Sequence, residues 1–435
     1  MVRPEVPGHE EPFPKPIPVP DWTPWRRKML DLGLIGVDWE QRIDFDRLRR
    51  ERLEKAQRAL RESDADVLFV FRTEDARYLT GYRHHLGPTP LLGNATIVLM
   101  PEGDPLLFTM DYEHCRLRMP WLPVTSIQPR ANFREEVGIR KWAEILRGLI
   151  GDLDGKRIGV DLWSPTVEKH IKAVFPNSEF IDGYNILMQA KIIKTDDEIA
   201  CLKIANAVTE SGMDSALEVL RPGVRECEVL AAAWHKMTAM GSEWTQCSNI
   251  VCSGPYTAPY RRFTSDRIIR EGDLVIIDIG GCFNGYWGDL TRTWVCGPIR
   301  PTPEQIDLHQ KCYNAVWNAC GASRVGNTTA DVFAAADPYV LDSLGHGSGM
   351  APWEPPYFSP HSIEDPMPLR AGMQFNLEPY AGQPGVGGIR LENNLVVTDG
   401  DPDVYTTYPY DERLVAEVHP LDTSTGRTRP RSASN

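Results

Sequence analysis

Leu48, Leu53, Ala56 and Leu60 fall near one helical face, and the apolar run Val67 to Phe71 follows directly, so a helix leading into a strand is predicted. Residues 95–100, 105–109 and 157–161 read as further strands, with 142–150 as a helix between the last two. Residues 45–185 therefore predict an α/β domain. The pattern changes in 186–420. Thr195-Asp196-Asp197-Glu198 is a capping box, opening a helix that places Ile199, Leu202, Ala205 and Val208 at three-residue spacing. Helices are also predicted at 226–240, from Thr302 with proline at its first position, and at 329–344. Strand candidates are 273–279, 286–296, 372–380 and 388–398. Helices grouped against hairpin-like strands predict α+β for this larger domain.

The flanks break every period. Residues 1–44 are proline-rich and read as an extended arm lying on a domain or a partner subunit, with Trp22 and Trp25 as anchors. Residues 421–435, with Arg427, Arg429 and Arg431, read as a disordered, solvated tail.

With 435 residues, 42% of them hydrophobic, the chain is long enough for two globular cores. The formal net charge of −13 repels phosphate backbones and anionic lipid, which argues against nucleic acid or a membrane surface as partner and favours a small molecule or short peptide. The start lacks the apolar core of a secretory signal, and no apolar run approaches the roughly 20 residues of a spanning helix. Nine scattered cysteines without a CxxC pair suit reduced thiols in the cytoplasm.

Asp278 ends the run Leu274-Val275-Ile276-Ile277, apolar on both faces, so its carboxylate must enter the interior. An isolated buried carboxylate costs several kcal/mol at least. Across an Asn284-Gly285 turn, Asp289 heads a second strand carrying Thr291 and Thr293, and a hairpin brings the two aspartates together. Period-2 alternation puts Asn376 and Glu378 opposite Phe375 and Leu377, and Arg390, Glu392 and Asn394 opposite Ile389 and Leu391. Any one of these acids, alone, reads first as a salt-bridged or capping carboxylate. Together with His346 in Gly345-His346-Gly347-Ser348-Gly349, they form an oxygen-rich donor set with one imidazole. Such a set suits divalent ions, Mn2+ or Fe2+ first and Co2+ or Zn2+ next.

The five residues in their contexts resemble the creatinase, prolidase and aminopeptidase P family, the "pita-bread" metallohydrolases. The matching segments are Leu274-Val275-Ile276-Ile277-Asp278-Ile279-Gly280, Gly288-Asp289-Leu290-Thr291-Arg292-Thr293, Gly345-His346-Gly347-Ser348-Gly349, Leu377-Glu378-Pro379 and Ile389-Arg390-Leu391-Glu392. Arg77-Tyr78-Leu79-Thr80-Gly81-Tyr82 and the joining segment Lys194 to Ile199 are similar to the family's smaller creatinase-like domain. The resemblance implies a pita-bread catalytic domain with two divalent ions, Asp278 on one, His346 and Glu378 on the other, and Asp289 and Glu392 bridging. It further implies a metal-bridging hydroxide as nucleophile, Glu378 as proton shuttle, and a homodimer.

The chain departs from the family's peptidases at two auxiliary histidines, whose places fall on Arg261 and Trp353. Standard Xaa-Pro peptidase activity is thereby in doubt, whereas the metal chemistry is not. A buried Arg261 would clamp a substrate carboxylate, with pairing of Arg261 or Arg262 to an acid such as Asp266 as the plainer alternative. Trp353 and Tyr357 would wall the cleft, or pack as ordinary loop residues. His361 is the nearest histidine able to replace a lost acid/base, or else a surface residue. The favoured reading is hydrolysis of a C–N bond in an Xaa-Pro peptide or a small amide or guanidino compound. A dimethylsulfoniopropionate-lyase-like enzyme on the same fold is disfavoured by Gly280, which stands where those lyases have an extra metal aspartate. A metal-free binding protein is disfavoured by the intact set of five.

Overall fold

The structure, a computed structural model, describes residues 43–83, 95–130, 132–133, 135–245 and 249–422. The proline-rich arm with Trp22 and Trp25, Cys247 and the arginine-bearing tail lie outside the described residues. Helix α1 (Phe45–Arg61) is capped by the Asp44 side chain and buries Leu48, Ala56 and Leu60, the stripe read from the sequence. It leads into β1 (Val67–Val70) and α2 (Thr73–Thr80), which Gly81 ends in the left-handed conformation. Then come β2 (Ala95–Leu99), β3 (Leu106–Thr109), α3 (Tyr112–Arg118), β4 (Ile127–Pro129), α4 (Glu136–Ile150), β5 (Arg157–Val160), α5 (Pro165–Val174), β6 (Glu179–Asp182) and α6 (Tyr184–Lys191). The six strands form one mixed sheet in the order β4-β3-β2-β1-β5-β6. Its core is aromatic: Trp142 meets Phe69 edge-on at 5.0 Å and Phe133 at 5.1 Å.

The second part begins with α7 (Asp196–Val219), where Thr195 and Glu198 complete the capping box. Helix α8 (Glu226–Ala239) packs across it at Gly212, where an added Cβ would meet Met237 at 2.6 Å. A three-stranded antiparallel sheet follows, β11-β8-β7, from β7 (Ile250–Ser253), β8 (Leu274–Ile279) and β11 (Leu290–Val295). Between β8 and β11 sits the hairpin β9 (Cys282–Phe283) and β10 (Tyr286–Trp287). Its turn residues Asn284 and Gly285 have φ of 49° and 82°, the double left-handed pattern that this dipeptide favours. Helices α9 (Pro303–Ala322) and α10 (Thr329–Ala336) then cover a five-stranded antiparallel sheet. Its order is β13-β12-β14-β17-β18, from β12 (Gly345–Gly347), β13 (Glu354–Phe358), β14 (Gln374–Leu377), β17 (Asn393–Val396) and β18 (Asp403–Val404). The short helix α11 (His361–Glu364) and the hairpin β15 (Tyr380–Gln383) and β16 (Gly387–Arg390) complete it.

Three expectations are corrected. The helix expected over 329–344 stops at Ala336, because Asp337 precedes Pro338 and takes ψ of 137°, the extended conformation that a following proline imposes. The strand expected over 286–296 breaks at Gly288, and that over 388–398 breaks at Leu391, where the chain leaves one sheet for another. Both breaks fall beside an acid of the site. Among the described residues, no helix is long and apolar enough to cross a membrane.

Candidate metal centre

Every residue of β8 is buried, so Asp278 can face only inward. It lies opposite Thr291 in the β8–β11 register, and Asp289 precedes that strand by one residue. Gly288 is required there, since a Cβ would stand 2.5 Å from Thr209 Oγ1 and 2.6 Å from the Ala205 carbonyl on α7. Glu392 arrives from the other sheet: its amide donates to the Thr291 carbonyl at 3.1 Å, and its Oε2 accepts from the Thr291 hydroxyl at 3.0 Å. Asp278, Asp289 and Glu392 thus present oxygens within 4.8 Å of one another. His346 Nε2 comes 3.9 Å from Asp289 Oδ2 and 3.8 Å from Glu378 Oε1. The five predicted residues therefore converge, each less than 9% exposed.

The imidazole is oriented for ligation. Its Nδ1 lies 3.0 Å from the Gly347 carbonyl, which can only accept, so Nδ1 carries the proton and the Nε2 lone pair faces the acids. Burial lowers the His346 pKa and keeps the ring neutral, although the Glu378 charge works the other way. Burial also pushes Asp278 up, Arg390 opposing, and drives Glu392 well above the carboxylate range with Asp289 reinforcing it.

Among the described residues, these four carboxylates face the Arg390 guanidinium, an excess of three negative charges if all are ionised. Glu392 Oε1 is buried with no hydrogen-bond donor among the described residues. Such a cluster is costly unless cations complete it. An oxygen-rich set with one imidazole fits hard divalent ions, and the excess charge fits more than one of them.

Two residues that the sequence reading left without a role stand inside this centre. Fully buried Arg390 donates through Nη2 to Glu378 Oε2 in a very short ion pair, and its Nε lies 4.0 Å from Asp278 Oδ2. Its signal was available, as a cation sharing a strand face with Glu392. Tyr260, the other, donates its hydroxyl to Asp278 Oδ2 at 2.9 Å. Nothing local announces it, because a loop carries it to the centre.

The rim follows the plainer alternatives, since both arginines pair with acids and His361 is exposed. Arg261 is not buried: its side chain is 49% exposed and ion-paired with Asp342 at 2.7 Å. Asp266 partners neither arginine, since Arg262 pairs with Glu226 instead. Arg261 still contributes positive charge felt at His346. Trp353 is half-exposed, its ring edge-on to His346 with centroids 6.0 Å apart. Tyr357 is also half-exposed and shares the strand register position opposite His346. His361 opens α11 and is exposed, not buried with the donors. Glu354, next to Trp353, is buried and paired with Lys191 at 2.5 Å and Lys194 at 2.8 Å, and Lys191 also holds Asp75 of α2 at 2.8 Å. This cluster ties the loop bearing Trp353 to the first domain. The lysines hold the Glu354 pKa down to about 2 against the opposing effect of its burial.

Comparison with known proteins bears on the family and the fold. Residues 200–399 match the model of metallopeptidase family M24, and residues 52–193 match that of the creatinase/prolidase N-terminal domain. The Xaa-Pro dipeptidase of Pyrococcus furiosus is 29% identical over 359 residues, spanning 80% of this chain and 96% of that protein. The crystal structure of dipeptidase PepE from Mycobacterium ulcerans superposes with a TM-score of 0.70 at 26% identity, covering 85% of this chain and 98% of that one. The Xaa-Pro dipeptidase from Bacillus anthracis, at 23% identity, shares the fold with a TM-score of 0.71 over 83% of this chain and 99% of that one. The larger domain is thus the expected pita-bread fold. The chain belongs to metallopeptidase family M24, carries the creatinase/prolidase N-terminal domain, and is a metal-dependent hydrolase.

Proposed function

We propose that the protein cleaves the C–N bond of a small peptide or amide bearing a free carboxylate, an Xaa-Pro dipeptide being the first candidate given the names of its relatives. The observation that carries this reading is the convergence of four buried acids and a neutral imidazole, their donor atoms within a few ångströms of one another. Asp278, Asp289, His346, Glu378 and Glu392 would hold two divalent ions, with Asp289 and Glu392 shared between them. When bound, such ions would make a water nucleophilic near neutral pH and polarise the scissile carbonyl.

The chain's own groups do the rest. Arg390 holds Glu378 Oε2, which leaves Oε1, on the His346 side, to take the proton of the attacking water and return it to the leaving nitrogen. The Trp353 ring edge limits water on the His346 side and offers an apolar surface to the substrate. Arg261, paired with an exposed aspartate, can exchange Asp342 for a substrate carboxylate, which a guanidinium binds bidentately.

The test combines elemental analysis with a panel of Xaa-Pro dipeptides, small amides, guanidino compounds and dimethylsulfoniopropionate, after separate reconstitution with Mn2+, Fe2+, Co2+ and Zn2+. Close to two ions per chain and turnover of a carboxylate-bearing dipeptide are expected, with turnover abolished in Glu378→Gln. Arg261→Met should raise KM at least several-fold while metal content stays constant. Fully loaded protein that turns over only dimethylsulfoniopropionate, or nothing in the panel, would defeat the reading.

A further inference from the structure

Glu226, the first residue of α8, is fully buried and lies outside the metal centre. Its Oε1 accepts hydrogen bonds from the Ser253 amide at 2.9 Å and the Ser253 hydroxyl at 2.6 Å. Its Oε2 accepts from the Ser265 amide at 3.1 Å and the Ser265 hydroxyl at 2.8 Å. Arg262 Nη2 reaches both oxygens, at 2.5 and 2.6 Å. One carboxylate thus gathers the beginning, the middle and the end of the loop 253–267, using all of its acceptor capacity. The base of the loop is closed a second time by Arg267, which donates to the Ser253 hydroxyl at 2.5 Å and to Asp273 at 2.6 Å.

The part so gripped is the part that serves the centre. Tyr260 turns inward, its hydroxyl on Asp278 and its ring stacked on Tyr380 at 6.0 Å. Arg262 turns back to Glu226 and lies over the Tyr256 ring at 4.3 Å. Arg261, between them, takes φ of 107°, a conformation that non-glycine residues adopt only where the surroundings over-determine it. Its flanking residues are fixed by two separate buried acids, Asp278 and Glu226, and the intervening side chain is thereby directed to the rim beside Asp342.

We propose that Glu226 is a positioning residue of the metal centre, holding Arg262 so that Tyr260 is set on Asp278 and Arg261 on the rim. Only the part concerning Arg261 rests on the proposed function. Nothing in this role needs Glu226 to touch substrate or metal. Its effect passes by a direct ion pair to Arg262, 36 residues away in sequence, and then through the backbone to Arg261 and Tyr260.

Co2+-loaded wild type, Glu226→Gln, Arg262→Met, Arg262→Lys and Tyr260→Phe should be compared by elemental analysis, visible absorption and kinetics on Ala-Pro. Glu226→Gln keeps the shape but turns an amide toward Arg262. Both Glu226→Gln and Arg262→Met are expected to keep their metal and to shift the Co2+ bands in the same sense as Tyr260→Phe. Their KM for Ala-Pro should rise on the order of 10-fold, kcat changing less. Arg262→Lys, which retains the charge, should restore part of both signals. If Glu226→Gln does not fold, Arg262→Met carries the test, since Ser253 and Ser265 still satisfy Glu226. A folded Arg262→Met with wild-type Co2+ bands and wild-type KM overturns the proposal. Wild type inactive on Ala-Pro would count against the proposed function, and the Co2+ bands alone would then decide this one.

Discussion

His309 gives the protein an acid sensitivity whose size follows from the structure. It lies on α9 with no exposure, its ring stacked on Tyr313 at 6.1 Å and edge-on to Tyr410 at 6.2 Å, and among the described residues its polar contact is a weak one with the Leu414 backbone. Burial drives its pKa down to about 3, with Asp411 opposing and Arg292 adding to the shift. In the unfolded chain the same ring titrates near 6.5. The folded value is the lower one, so the unfolded state binds the proton first as pH falls. The stability linked to this group is complete above about pH 6.5 and declines below it. At about 1.4 kcal/mol per pH unit, acidification to pH 5 removes roughly 2 kcal/mol through this residue alone. Any folded value below about 4 leads to the same figure at that pH.

The assay is the unfolding midpoint of wild type and His309→Phe at a series of pH values from 7.5 to 5. Phenylalanine keeps the aromatic contacts and removes the titration. Protonation of the metal-site acids affects both proteins alike and cancels in the difference. The gap between the two should move by roughly 2 kcal/mol in favour of the variant over this range. Curves that stay parallel to within about 0.5 kcal/mol would falsify the linkage argument.

Glu354→Gln leaves Lys191 and Lys194 buried with diminished compensation, and a loss of about 3–5 kcal/mol is expected in denaturant unfolding. Glu392→Gln should lose bound metal by elemental analysis, and with it the thermal stabilisation that metal confers. The metal-free form should not be destabilised, since burial and the Asp289 charge already disfavour the ionised Glu392 carboxyl there and a neutral amide of the same shape replaces it. Gly288→Ala should lower both metal content and melting temperature, because the added methyl meets the Ala205 carbonyl at 2.6 Å. Retained metal and an unchanged melting curve would show that α7 can yield there.

The features legible in the chain were those that short segments decide by themselves. The capping box at Thr195, the Asn284-Gly285 turn and the inward face of β8 each follow from residues within a few positions of one another. Hairpin geometry then places Asp289 near Asp278 over only eleven residues. Alternation likewise put Glu392 and Arg390 on one face. The end of α10 was legible too, in Pro338, but helical periodicity outweighed it in the reading.

What stands opposite such a face is a tertiary matter. Glu392 meets Thr291 across about a hundred residues, and the strand break at Leu391 that permits it depends on pairing with two different sheets. The direction of Arg390 toward Glu378, rather than to solvent or substrate, is set by the same packing. Arg261 marks the limit most clearly. Its charge and place in the loop were visible in the sequence, which left both a buried carboxylate clamp and an ion pair with an acid open. Its actual orientation comes from Glu226 and Asp278, each holding a neighbour of Arg261 on one side. Local sequence determines which residue types can be buried and on which face, since dihedral preference and periodicity act over a few residues. Only the folded chain decides which buried charges meet, because that depends on contacts whose closure entropy and packing involve the whole domain.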